Sequence, residues 1–141
     1  MIVKNPRAGM LSNFEVLALV NEQQELQRAA QERDPNVEFP ENLRTIQFEL
    51  TGYLNSTPCS TQDVSQVQNF LNAFAQYELT LAEKLQILNL RPKSPVDLYL
   101  LIEECEERFT EEDLDAMLQQ VIELLPRDDD EEMGEEEEYE Q

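Results

Sequence analysis

The chain has no histidine, only three glycines and only two cysteines in 141 residues, and ten Lys and Arg stand against 31 Asp and Glu. Without histidine, the usual general base and the usual metal ligand near neutral pH are both missing, which argues against an enzyme. Three glycines could hardly build the phosphate cradle of a nucleotide enzyme, and no G-x-x-x-x-G-K-S/T, G-x-G-x-x-G or G-x-S-x-G string occurs. No D-x-D-x-D-G loop offers oxygens to a hard cation either. Catalytic residues, metal ligands and cofactors are therefore all expected to be absent.

Cys59 and Cys105 lie 46 residues apart and form no C-x-x-C pair. With no cleavable apolar leader at the start, they read as reduced thiols of an intracellular protein. The apolar run 98–102, which no other exceeds, is far short of the roughly 20 residues a membrane span requires, so a soluble chain with no membrane partner is expected.

The net charge is −21. Residues 127–141 hold ten acids and one base, which leaves 21 acids and nine bases, or about −12, for the rest. A chain like this repels phosphate backbones unless a basic patch is segregated, so direct nucleic-acid binding is not expected. Only Lys84, Arg91 and Lys93 cluster. They could touch a phosphate or an acidic partner, or simply top a helix C-terminus, where cations are favoured.

Ile2 and Val3 make a short β-prone arm, cut off by Pro6 and Gly9. Ser12 and Glu15 then form a capping box, in which the hydroxyl accepts the third amide and the carboxylate reaches back. The helix it starts should run to about Arg33, its first turns (Phe14, Val16, Leu17, Leu19, Val20) buried and its second half wet. Pro35 and Pro40 mark 34–42 as a linker.

Leu43, Ile46, Leu50 and Tyr53 or Leu54 follow at helical spacing, and Val64, Val67, Phe70, Leu71, Phe74 and Tyr77 repeat it over 61–77. Thr80 and Glu83 make a second capping box, and the helix after it is closed by Arg91 and Pro92. Ser94 caps the next, with Pro95 in first position and Asp97 in the first turn. Thr110 and Asp113 open a last helix, which carries Leu114, Met117, Leu118, Val121, Ile122 and Leu125 and ends at Pro126. The sequence predicts six helices, no strand and no repeat: an all-α fold with a disordered acidic tail.

The fifth helix, read as continuous to Phe109, buries Leu98, Leu101, Ile102, Cys105 and Phe109 on one face. Val96, Tyr99 and Leu100 fall outside that stripe. Leaving them bare forgoes about 1.5–3 kcal/mol of burial for each large side chain. Either the domain surrounds this helix or a partner covers it. Glu103, Glu104, Glu106 and Glu107 beside it read as a solvated face rather than as paired catalytic carboxylates.

"LTLAEKLQILNLRPKSPVDLYLLIEECEERF" (79–109), taken with "NPRAGMLSNFEVLALV" (5–20), resembles the family of smaller stalk subunits of nuclear RNA polymerase III. In animals that family is also called the calcitonin gene-related peptide receptor component. The resemblance implies an N-terminal arm and helices (1–58) on the larger stalk subunit, a helical domain of the helicase-and-RNase-D C-terminal (HRDC) type (59–126) and a disordered acidic tail (127–141).

It further implies a non-catalytic subunit of the stalk heterodimer, located in the nucleus and also in the cytoplasm. Such a subunit contacts the polymerase core and supports recruitment of initiation factor IIIB at transfer RNA and 5S genes. Partner contacts are expected at Ile2, Val3, Leu11, Phe14, Val16, Leu17, Leu19, Tyr99 and Leu100. An acidic helical adaptor in signalling, or a chaperone for basic proteins, is the alternative from a different class.

Overall fold

The computed structural model of the protein describes residues 2–128. The tail expected at 127–141 lies, from residue 129 onward, outside the described residues. Those described form seven α-helices and one 3₁₀ turn, with no strand among them, so the fold is all-α. The described residues divide into two compact units, the first ending at Ser60 and the second starting at Thr61.

The first unit is a hairpin of two helices. α1 (Asn13–Arg33) starts at the expected box: Glu15 N–H donates to the Ser12 hydroxyl and Ser12 N–H donates to the Glu15 carboxylate. After the proline-marked linker, α2 (Glu41–Asn55) begins behind Pro40. Leu17, Leu54 and Cys59 form the buried core between them, with Phe14, Val16 and Leu50 against it.

This core is smaller than expected. Of the apolar first turns of α1 only Leu17 is buried, and Leu19 is exposed. On α2, Ile46 and Tyr53 stay outside although they belong to the expected stripe. At 100° per residue they stand about 80–100° round the helix from Leu54, and one neighbouring helix cannot cover an arc that wide. The line facing α1 instead includes Gln47, which is buried.

The second unit comprises α3 (Val64–Phe74), α4 (Leu81–Leu90), α5 (Pro95–Leu101), α6 (Cys105–Arg108) and α7 (Glu111–Leu124). α3 packs on α7 and α4, and α5 on α4, α6 and α7. Phe70, Phe74, Ile87, Leu98, Met117 and Val121 are fully enclosed. Phe70 and Phe74 stack at 4.3 Å between centroids, and Tyr77 and Phe109 continue the aromatic row. Capping boxes at Thr80, Ser94 and Thr110 start α4, α5 and α7 as the sequence indicates.

The single fifth helix does not exist as such. The chain leaves α-geometry at Ile102 (φ −105°, ψ 123°), turns through a left-handed Glu104 (φ 51°) and resumes as α6. The break is fixed from outside: Glu103 N–H donates to Glu83 and the Arg108 guanidinium closes on the same carboxylate. Ile102 and Cys105 are both buried by the kink. An unpaired αL residue costs roughly 1–3 kcal/mol, which those bonds and that burial offset.

Candidate interaction surfaces

The hairpin of the first unit has more apolar surface outside than inside. Ile2 (89 % exposed), Val3 and Leu11 on the arm and Leu19 on α1 are all open, while Phe14 and Val16 are half-buried. Leu17 is the exception among the expected contact residues. It packs on Leu54 and Cys59, so its side chain serves the hairpin's own core.

Open apolar residues of the two helices outside the expected contact set include Leu26, Ile46, Phe48 (77 % exposed) and Tyr53. Leu19 with Leu26, and Ile46 with Tyr53, are seven apart, two turns along one line of a helix. That spacing was the available signal. Beside Phe48, a cleft of about 640 Å³ is lined by Phe39, Arg44 and Gln31 among others.

In the second unit, Val96, Tyr99 and Leu100 (80 % exposed) line the outer side of α5, and Leu98 between them is fully buried. The surplus apolar surface of the sequence is therefore uncovered by the unit's own helices. Burial first, and then the charges of Glu106, Glu111 and Asp115, push the Tyr99 hydroxyl above its ordinary pKa. Glu103, Glu104, Glu106 and Glu107 are exposed, as a solvated face requires.

The expected basic cluster does not form an open patch. Lys93 is exposed and Lys84 half-buried, but Arg91 is 3 % exposed and occupies the left-handed cap of α4 (φ 48°). Its Nε donates to the Leu125 carbonyl at 2.6 Å, tying α4 to the end of α7. Arg91 is thus a cap and a tie inside the fold.

Sequence reading also assigned Glu83 only a local capping role. In the structure its carboxylate, 9 % exposed, accepts Arg108 Nη1 at 2.8 Å and Nη2 at 3.0 Å, together with the N–H groups of Thr80 and Glu103. Arg108 also donates to the carbonyls of Glu78 and Glu103. The Arg108 bonds, against the opposing effect of burial, hold the Glu83 carboxyl down at about 2. No local signal reveals this, because the partners are 25 residues apart. Among the described residues no three Cys, Asp or Glu side chains gather to hold a metal ion.

The profile of the family described as RNA polymerase Rpb4 matches residues 10–125. The chain is similar to the DNA-directed RNA polymerase III subunit rpc9 of Schizosaccharomyces pombe, 39% identical over 129 residues that cover 89% of this chain and 100% of that one. It is similar also to the subunit of the same name from Dictyostelium discoideum, 31% identical over 114 residues, 77% of this chain and 79% of the relative. The Saccharomyces cerevisiae subunit RPC9 is 38% identical over 60 residues, 43% of this chain and 35% of its own. With the match running through both helical units, the chain belongs to the RNA polymerase Rpb4 family.

Proposed function

We propose that the chain is a non-catalytic subunit of DNA-directed RNA polymerase III in the nucleus, forming the stalk heterodimer with a larger stalk subunit through residues 1–58. The observation that carries this is the first unit's inverted balance, with three side chains in the core and the flanks of both helices apolar and open. Large exposed apolar patches mark interfaces. The similar proteins are subunits of DNA-directed RNA polymerase III, which supplies the assembly in which that interface belongs.

In this reading residues 59–126 form an HRDC-type domain that projects from the polymerase core and supports recruitment of initiation factor IIIB. Ile2, Val3, Leu11, Leu19, Ile46 and Tyr53 serve the larger subunit, with Phe14 and Val16 at the margin. The test is sedimentation and thermal melting of the chain alone and with the larger stalk subunit. A one-to-one complex that melts higher than the free chain is expected, and Ile46→Ser with Tyr53→Ser should weaken it at least tenfold if they are central contacts. A chain that stays monomeric and melts unchanged beside that subunit refutes the assignment.

Nucleic-acid contact falls to other subunits in this reading. A chain of net charge −21 gains little from counterion release, and Arg91 is committed to Leu125. Titration with labelled transfer RNA at about 50 mM salt, where phosphate contacts are strongest, should show no submicromolar binding. Tight binding lost on changing Lys84 and Lys93 to Glu would reverse this.

A further inference from the structure

Val96, Tyr99 and Leu100 stand at i, i+3 and i+4 on α5 and make one continuous apolar strip on its outer side. The helices that pack against α5 leave this strip bare while enclosing Leu98. Next to it opens a cleft of about 340 Å³, lined by Tyr99, Ile102, Glu104, Cys105, Glu106 and Glu107. The cleft exists because the chain breaks at 102–104, which swings α6 out of the line of α5.

On the α6 and α7 side of this strip the charges are mostly acidic. From 103 to 115 the sequence carries eight acids and one base, Arg108. That base pairs with Glu83 and donates to the carbonyls of Glu78 and Glu103, so it neutralises one acid of another helix and leaves the local balance acidic. Asp113 is held by Thr110, whereas Glu104, Glu106, Glu107, Glu111 and Asp115 are exposed. On the far flank of α5 a second cleft is lined by Arg91, Lys93 and Asp97, so the acidic character belongs to the α6 side alone.

We propose that the outer side of α5, with α6 and the first turns of α7, is a docking surface for a basic amphipathic segment of a partner protein. Apolar side chains of that segment cover Val96, Tyr99 and Leu100. An arginine enters the cleft beside the Tyr99 ring and meets the carboxylates of Glu104, Glu106 and Glu107. A planar guanidinium suits this cleft better than an ammonium, because it stacks on an aromatic face and pairs with carboxylates in the same plane. The acids that line the Tyr99 cleft select the occupant. Nucleic acid and anionic membrane are repelled, and small polycations leave the apolar strip uncovered. Only residues of the second unit take part.

The test is fluorescence anisotropy on the full-length protein with a short labelled peptide of alternating Arg and Leu. Its counterparts have Gly in place of Leu, or Glu in place of Arg. The Arg-Leu peptide should bind, the Arg-Gly peptide should bind more weakly, and the Glu-Leu peptide should not bind. Glu106→Gln with Glu107→Gln, and separately Tyr99→Ser with Leu100→Ser, should each weaken binding about tenfold, as loss of charged or aromatic anchors does. Glu111→Gln with Asp115→Asn gives an independent reading from α7. The matched pair Glu22→Gln with Glu49→Gln, both exposed on the first unit, should leave affinity unchanged. Equal affinity across all variants, or equal loss in the matched pair, overturns the proposal, since the acidic stretch after 126 or the overall field would then be the binder.

Discussion

Replacing Phe74 with alanine will lower the stability of the second unit by about 3–5 kcal/mol, a large share of the roughly 5–15 kcal/mol that holds a domain of this size. The ring is completely enclosed, stacks on Phe70 at 4.3 Å and leans on Tyr77 at 5.5 Å between centroids. Removing it takes away both its transfer energy and the partner of two aromatic neighbours. It also leaves a cavity between helices that local collapse cannot fill. Phe74→Leu keeps most of the volume and should lose no more than about 1.5 kcal/mol. Urea unfolding followed by circular dichroism measures both. An alanine variant within about 1 kcal/mol of the parent would show that α3 is not the centre of this core.

Arg108→Met should destabilise the protein at about pH 7, because it removes the main partner of a nearly buried carboxylate. The Glu83 carboxyl is held at about 2 against an ordinary 4.5. A folded pKa below the unfolded one stabilises at pH values above the unfolded pKa, and that stability is lost as pH falls through the folded one. The difference of roughly 2.5 units corresponds to about 3 kcal/mol, fully present at about pH 6 and above. By about pH 3 less than half should remain, and by about pH 2 little of it. Stability of the parent and of Arg108→Met should therefore converge on acidification. Curves that run parallel from about pH 7 to pH 2.5 would mean that the carboxylate does not depend on Arg108.

What was legible in the sequence was what neighbouring residues decide among themselves. The capping boxes at Ser12, Thr80, Ser94 and Thr110 each need only a hydroxyl and an acid three residues on, and all four are in place. The surplus of Val96, Tyr99 and Leu100 over the needs of one core was also visible, because it is a property of a single helix. Which apolar residues stay exposed was legible only in part. Leu17 looked like Leu19 in a crowded apolar turn, and their fates differ by the position of Leu54 and Cys59, some 37 and 42 residues away.

By itself, then, the sequence determined the all-α class, the helix starts, the acidic character that disfavours phosphate ligands, and the excess of apolar side chains. All of these follow from composition and from contacts within a turn or two. The tertiary structure decided the rest. It broke the fifth helix at Ile102, turned Arg91 from a surface cation into an internal tie, buried Gln47 and left Ile46 and Phe48 outside. The physical reason is common to these cases: each outcome depends on which distant group a side chain meets, Glu83 for Arg108 and Leu125 for Arg91. Helical periodicity carries no information about a partner 25 or 34 residues away.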